Sequence, residues 1–188
     1  MPQPDSIFDA GAAIVPDFIA PAEEERILLR ISQAPWSAEL RRRVQHYGYS
    51  YDYRGSAPPG PAPEFPRWAR VMAERMADRF GDALPKQCIV NEYRPGQGIG
   101  MHADHAQFGP VVASLSLAAA WPMRFRPRHV RPYAAGALAG DEVVTLPRGS
   151  LLVLAGAARR DWMHGIDAAG SAAETVPRLS ATFRTLAR

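Results

Sequence analysis

Two side chains near the middle of the chain have the types and the spacing that suit a metal ion. His102 and Asp104 are separated by one residue, so in an extended segment both would lie on the same face. An imidazole and a carboxylate, completed by a distant histidine, form a triad that leaves coordination positions open for O2 and a chelating cosubstrate, as Fe(II) oxygenases require. The pair alone is weak evidence because it also occurs by chance. His105 is a competing ligand, although on a strand it would point to the opposite face.

A third ligand would have to come from another strand, and three histidines are candidates. His46 precedes the strand-rich region, His129 lies in an arginine-rich loop, and His164 lies between apolar strands. For His164 alone, a hydrogen-bonded histidine inside the core is the simpler interpretation. The spacing of the residues therefore leaves the third ligand open.

The predicted C-terminal strand carries polar side chains on one face. Alternation places on that face Arg178, Ser180, Thr182 and Arg184. Two guanidinium groups inside a barrel would be costly without an anion. A dicarboxylate such as 2-oxoglutarate supplies one charge for each arginine, so we predict that this face binds it. An edge strand with a solvated basic face is the alternative.

The hydrophobic pattern predicts two helices followed by many short strands. The helices are expected at 21–34 and 64–80, and the strands at 87–93, 111–117, 123–126, 142–146, 151–154 and 178–185. No connection between strands is long and helical enough for a parallel sheet. The prediction is a mainly β fold, a sandwich or jelly roll with flanking helices.

Residues 36–66 read as a loop with an aromatic run and a basic cluster. The run is Tyr47, Tyr49, Tyr51 and Tyr53, and the cluster is Arg41–Arg43. On a strand the four rings would share one face. They would then either cover the core or grip a base, and spacing alone favours neither interpretation.

Composition predicts one ordinary globular domain over 1–188. Of the 188 residues 47% are hydrophobic and 22% charged, which excludes a disordered chain, and the net charge of +3 is only weakly basic. No apolar run reaches the roughly 20 residues that cross a bilayer. Residues 1–8 contain no Lys or Arg, unlike a signal peptide, and Cys88 is the single cysteine. We expect a cytoplasmic monomer without membrane contact.

Several motifs, in this order, resemble the AlkB dioxygenases. They are Asn91-Glu92-Tyr93-Arg94-Pro95-Gly96, His102-x-Asp104, Ser114-Leu115-Ser116-Leu117, Gly149-Ser150-Leu151-Leu152, Trp162-x-His164-Gly165-Ile166 and the strand 178–184. The resemblance implies a double-stranded β-helix, or jelly-roll, core of the cupin kind that uses Fe(II), 2-oxoglutarate and O2. It implies His102, Asp104 and His164 as iron ligands and catalytic centre.

The same resemblance assigns roles in the cosubstrate pocket. Arg184 would bind the 2-oxoglutarate carboxylate next to the keto group, and Arg178 would bind the distal carboxylate. Asn91 and Tyr93 would complete the pocket, which Ser180 and Thr182 would also line.

The segment from Arg42 to Tyr49 resembles the nucleotide-recognition lid of this family, so 36–66 is expected to be a lid. The predicted substrate contacts are Arg42, Arg43, Tyr47, Tyr49, Tyr51 and Tyr53. The implied reaction is oxidative demethylation or hydroxylation of an alkylated base in DNA or RNA, single-stranded or flipped, in repair or tRNA modification. His105 and Ala106 replace an acidic residue that repair members often carry, so the base is not specified. A protein or small-molecule hydroxylase and a non-catalytic jelly-roll binding module remain alternatives.

Overall fold

The structure is a computed structural model that describes residues 6–37, 40–50, 60–81, 83–130, 137–168 and 174–187. Within these residues there are three α-helices: α1 (Pro21–Gln33), α2 (Arg67–Arg75) and α3 (Gly156–Arg160). The strands are β1 (Ala12–Val15), β2 (Arg43–Tyr47), β3 (Gln87–Tyr93), β4 (Ile99–His102), β5 (Phe108–Leu117), β6 (Trp121–Pro127), β7 (Glu142–Leu146), β8 (Leu151–Leu154), β9 (Trp162–Ile166) and β10 (Arg178–Leu186). No helix among the described residues is long and apolar enough to cross a membrane.

The strands form two antiparallel sheets that face each other. The larger sheet has the order β1-β8-β5-β10-β3-β2, and the smaller has the order β4-β9-β6-β7. From β3 to β10 the chain passes back and forth between four strands of each sheet, except that the successive strands β6 and β7 pair within the smaller sheet, and this arrangement is a jelly roll. β1 and β2 extend the larger sheet at its two edges. The predicted fold class, mainly β with flanking helices and a jelly-roll core, is confirmed.

Side-chain alternation in the larger sheet separates two cores. Outward-facing residues such as Leu115, Ala181 and Phe183 pack with Ile27 and Ile31 of α1 and with α2. Inward-facing residues of the same sheet meet a second cluster that contains Trp121, Phe125 and Trp162 of the smaller sheet. The inner face of β10 is instead polar. Its arginines, Arg178 and Arg184, line a cavity between the two sheets.

The second helix is shorter than the periodicity predicts. It was expected from Glu64, but Pro66 is the extended N-cap residue, so the helix begins at Arg67. Proline disfavours helical geometry in the residue before it, which excludes Phe65. After Arg75 the chain tightens into a 3-10 turn, Ala77–Phe80, that ends at Gly81 with a left-handed φ of 64°.

Several short elements were not predicted. They are β1, β2, β4, β9 and α3, each of only four or five residues. Gly100 interrupts the pattern of β4 and Gly165 that of β9, so neither segment has a clear apolar period. Their pairing depends on the neighbouring strand rather than on local propensity.

The tyrosine run does not lie on one continuous strand where the structure describes it. β2 ends at Tyr47 because Gly48 has a φ of 75°, a left-handed conformation that breaks the strand. Tyr49 then forms an isolated bridge with Pro61. Tyr51 and Tyr53 lie outside the described residues.

Candidate active site

A cavity of about 510 Å³ opens between the two sheets. Its walls include every residue predicted to bind the metal or the cosubstrate: His102, Asp104, His164, Asn91, Tyr93, Arg178, Ser180, Thr182 and Arg184. These residues come from β3, β4, β9 and β10 and from the segment after β4. The fold thus brings together in one pocket side chains that are up to 93 positions apart, from Asn91 to Arg184.

The two histidines are cross-strand neighbours. His102 on β4 lies opposite His164 on β9, and their ring centroids are 4.5 Å apart. Nδ1 of His102 is 2.9 Å from the carbonyl oxygen of Gly100, which can only accept, so this nitrogen donates. The lone pair of His102 is therefore on Nε2, the nitrogen available to a metal.

Asp104 has one engaged and one unpartnered oxygen. Its Oδ1 accepts a hydrogen bond from Arg184, while its buried Oδ2 has no hydrogen-bond partner and lies 3.7 Å from His164 Nε2. Two imidazoles and an orphaned carboxylate oxygen are the donor set of a facial triad, so these residues fit a first-row metal. Among the described residues, no group of three such side chains has the arrangement of a fully formed metal site.

The charges of the pocket keep this donor set in its ligating form. Burial lowers the pKa of His164 to about 3, assisted by His102, and burial also lowers the pKa of His102. Burial alone would raise the pKa of Asp104, but the positive charge of Arg184 holds that pKa well below its usual value. Neutral imidazoles and a carboxylate are the states that bind metals, so no proton has to leave these groups first at neutral pH.

Arg178 is a buried cation without a carboxylate partner among the described residues. It is 1% exposed, its Nη2 donates to Ser116 Oγ at 2.9 Å, and its Nε has no partner. The Tyr93 ring lies 5.8 Å from its guanidinium carbon. An unpaired buried charge is costly, so the site fits an anionic group of a ligand.

Arg184 lies between the cosubstrate side of the pocket and the histidines. Its Nη1 donates to Gln87 Oε1 at 3.0 Å, and its guanidinium lies 4.9 Å from the centroid of the Phe108 ring. Gln87 is fully buried and pairs with Arg184 across β3 and β10. The cavity can thus hold a metal at one end and two carboxylates of one ligand along β10.

Comparison with known proteins decides the family. A family model described as the 2OG-Fe(II) oxygenase superfamily matches residues 30–184. The chain belongs to this superfamily. Its members use Fe(II), 2-oxoglutarate and O2, so the protein is a dioxygenase, and both predictions, of the enzyme class and of the cofactors, are confirmed.

Relatives place the oxygenase in the AlkB family. The alkylated DNA repair protein ALKBH8 homolog of Arabidopsis thaliana is 33% identical over 83% of this chain, which spans 50% of that protein's length. The probable RNA/DNA demethylase ALKBH6 of Danio rerio is 30% identical over 81% of this chain and 67% of its own. The solved structure of OsALKBH1 has a TM-score of 0.71 at 17% identity, covering 94% of this chain and 98% of that one.

Of the lid residues predicted in the AlkB-like oxygenase, Arg42 lines the cavity. Its Nε donates to Asn91 Oδ1 at 2.9 Å, and its guanidinium carbon is 5.9 Å from the centroid of the Tyr93 ring. Arg42, which directly precedes β2, thus contacts two residues that are predicted to bind the cosubstrate.

The structure does not bring the other described lid residues to the cavity. Arg43 forms a two-pronged ion pair with Glu92 and stacks over Trp36. Tyr47 is 8% exposed, donates to Gln45 and packs edge-on against Trp68 in the helix-side core. For Arg43 and Tyr47, and for Tyr49, whose carbonyl accepts from Gln87, substrate contact remains a prediction without a described contact behind it.

The arginine-rich loop with Arg126, Arg128, His129 and Arg131 would extend the basic surface of the lid only if it folded to that end of the barrel, and Arg126 does not contribute to such a surface. Arg126 is fully buried and bound through two nitrogens to Asp141, which also accepts from Arg124. The carboxylate that neutralises these arginines lies on a separate segment, so no local pattern indicates the pairing. Arg131 lies outside the described residues.

One functional residue was missed at the sequence level. Arg159, at the end of α3, donates from Nη1 to the carbonyl of Asp104 at 2.8 Å and from Nη2 to that of His105 at 2.9 Å. It is buried and it holds the backbone on which a predicted metal ligand sits. Arg159 belongs to no motif, so spacing could not have found it.

Proposed function

We propose that this AlkB-family dioxygenase oxidises an alkylated base in DNA or RNA, with His102, Asp104 and His164 holding Fe(II). The observation that carries the proposal is the cluster of these residues beside two arginines in one cavity. The buried Oδ2 of Asp104, which has no hydrogen-bond partner, suits a cation at one end of the cavity. The unpartnered Nε of Arg178 suits an anion at the other end.

The chain's own residues orient the cosubstrate. Arg178 would pair with its distal carboxylate, which restores a charge partner to a buried guanidinium. Arg184 would pair with the carboxylate next to the keto group while keeping its contact with Asp104. Asn91, Tyr93, Ser180 and Thr182 line the remaining walls and supply polar contacts.

Bound Fe(II), with 2-oxoglutarate and O2, supplies the oxidant that converts a substrate C–H bond to C–OH. If the carbon is an N-methyl group, the C–N bond of the product then breaks, which releases formaldehyde and returns a proton to the nitrogen. Apolar residues such as Leu152, Leu154 and Met123 line the pocket and limit water there.

Two observations support a nucleic-acid substrate. Arg42 reaches the cavity from the proposed lid, 36–66, and a guanidinium suits phosphate or a base edge. The Arabidopsis and zebrafish relatives carry names that refer to DNA repair and to RNA/DNA demethylation. Because the chain spans half of the Arabidopsis relative, only the oxygenase part of such an activity is proposed here.

The test is turnover of methylated oligonucleotides by the purified protein with Fe(II), 2-oxoglutarate and O2. We expect succinate and formaldehyde in equal amounts with at least one N-methylated single strand, and none with Asp104→Ala. Succinate without formaldehyde from any methylated strand, together with oxidation of a peptide or small-molecule panel, would move the proposal to the alternative substrates.

A further inference from the structure

A second groove lies on the outer face of the smaller sheet, next to the strand that carries His102. Its volume is about 650 Å³, and its walls are 96–101, 165–168, Arg124 and the chain entering β2. Arg124 and Gly165 pair across β6 and β9, whereas their neighbours Phe125 and His164 face the interior. The groove is therefore on the other side of β4 from the side chains of His102 and His164.

The groove and the catalytic cavity share a rim. Five residues line both spaces: Leu40, Arg42, Ile99, Gly100 and Met101. In the described part of the smaller sheet β4 is an edge strand, so a ligand can pass around it without crossing another strand. A molecule with one group in the cavity can thus continue into the groove.

The groove is positively charged. Its lining contains three arginines and a single carboxylate, that of Asp167. Asp167 accepts from Arg124 at 3.1 Å, and Arg124 also contacts Asp141, so this arginine is neutralised. Arg41, which is exposed, and Arg42, which lies at the shared rim, are the other two arginines of the lining.

Backbone rather than side chains forms much of the floor. A Cβ added at Gly96 or at Gly100 would meet no atom within 4 Å, so both positions leave open space above the chain. A phosphodiester can approach such a floor closely, and guanidinium groups bind phosphate through paired N–H···O bonds. Gly100 also lacks the left-handed φ that would exclude a side chain there.

We propose that this groove binds the sugar–phosphate backbone that flanks the target base of a single-stranded nucleic acid. The proposal rests on the function proposed above and adds where the strand leaves the cavity: around Gly100 and past Arg41. The proposal predicts that a substrate longer than a nucleoside binds with higher affinity, because a nucleoside occupies the cavity but does not reach the groove.

The test compares two ligands on the intact protein loaded with Mn(II) and 2-oxoglutarate. One is a fluorescent five-nucleotide strand with a central N-methylated base, and the other is the matching nucleoside. Arg41→Gln removes a charge from the groove. We expect this variant to weaken strand binding about tenfold, the cost of one charge-assisted contact, with under a twofold change for the nucleoside. Arg41→Gln should also reduce the log–log salt slope by about 0.7.

Arg26→Gln is the matched control, because Arg26 is an exposed residue of α1 on the opposite side of the larger sheet. Thermal unfolding checks that Arg41→Gln and Arg26→Gln are folded. If the wild type oxidises methylated strands but Arg41→Gln binds them as the control does, the groove proposal is wrong while the function stands. If the wild type neither binds nor oxidises any strand, both proposals fail.

Discussion

Arg184 holds Asp104 through two nitrogens: Nε is 2.7 Å and Nη2 is 2.6 Å from the same carboxylate oxygen, Oδ1. One of these residues is proposed to bind Fe(II) and the other 2-oxoglutarate. The pair therefore couples the two ligands, because a change in Arg184 alters the orientation and the charge of a metal-binding carboxylate. Arg178 has no such contact, since its described side-chain partner is Ser116.

We predict that Arg184→Gln weakens both metal and cosubstrate binding, whereas Arg178→Gln weakens the cosubstrate alone. Loss of one partner of a buried charge pair costs about 3 kcal/mol, so each variant should bind 2-oxoglutarate on the order of 100-fold more weakly. Titration calorimetry with Mn(II), and then with 2-oxoglutarate on the Mn(II) form, separates the two effects. Equal Mn(II) affinity in the two variants would argue against the coupling.

The parts of the site that the sequence made visible are those encoded by short-range spacing. His102 and Asp104 are two positions apart, and the polar face of β10 follows strict alternation from Arg178 to Arg184. Strand β3 was predicted with its observed bounds because its apolar, β-branched composition is local. Alternation of this kind survives folding because the period of a strand is fixed by the backbone.

The parts that could not be predicted depend on partners that are distant in sequence. Arg124 and Arg126 form an ion-pair cluster with Asp141, which lies on a separate segment. Tyr47 lies opposite Cys88 on the face of the sheet that packs against Trp68 of α2, so its ring is in the core. No local period records such contacts, so a pattern of aromatic or basic residues cannot distinguish core from surface.

Arg159 is expected to act as a positioning residue for the metal. Arg159→Lys keeps the charge but cannot donate to both the Asp104 and the His105 carbonyls in the same geometry. Loss of an interaction that orients a ligand typically costs 10–100-fold in metal affinity, so we expect roughly tenfold weaker Co(II) binding and an altered visible spectrum of the Co(II) form. Arg160→Lys, a change at the exposed neighbour, is the control. A Co(II) spectrum and affinity identical in both variants would contradict this role.

Asp141 should give the protein part of its acid sensitivity. Hydrogen bonds from Arg126, then from Leu138 N–H and Arg124, lower its pKa from 3.8 to about 2. Because the pKa of Asp141 is lower in the folded state, its carboxylate contributes fully to the free energy of unfolding at pH values above the pKa of the unfolded chain. This contribution is lost as the pH falls through about 2. A shift of this size corresponds to about 2 kcal/mol. We therefore expect urea unfolding to give Asp141→Asn a much lower free energy of unfolding than the wild type at pH 7. Near pH 2 this difference should be smaller by about 2 kcal/mol.

The exposed carboxylate of Asp9 provides the control for this pH dependence. Asp9→Asn changes an exposed surface residue and should alter the free energy of unfolding by less than about 0.5 kcal/mol. Asp141→Asn also removes the carboxylate charge that accepts from Arg126 and Arg124, so its deficit in the free energy of unfolding at pH 7 should exceed the 2 kcal/mol of the titration alone and reach about 3–5 kcal/mol. A deficit that stays constant from pH 7 to pH 2 would show that the cluster does not titrate as described.

Cys88 should report on folding and on cosubstrate binding at once. It is fully buried on β3, opposite Tyr47 and Phe183, and burial raises the pKa of its thiol far above the usual value. Because the thiolate is the reactive form, a disulfide reagent should label the protein only after unfolding.

Mn(II) with 2-oxoglutarate at about 100 times its Kd stabilises the native state by about 2.7 kcal/mol and should slow labelling of Cys88 about 100-fold. Arg178→Gln should lose this protection at the same cosubstrate concentration but keep the part due to Mn(II) alone. Rapid stoichiometric labelling of the native wild type would contradict the burial of Cys88, and full protection in Arg178→Gln would contradict its place in the cosubstrate site.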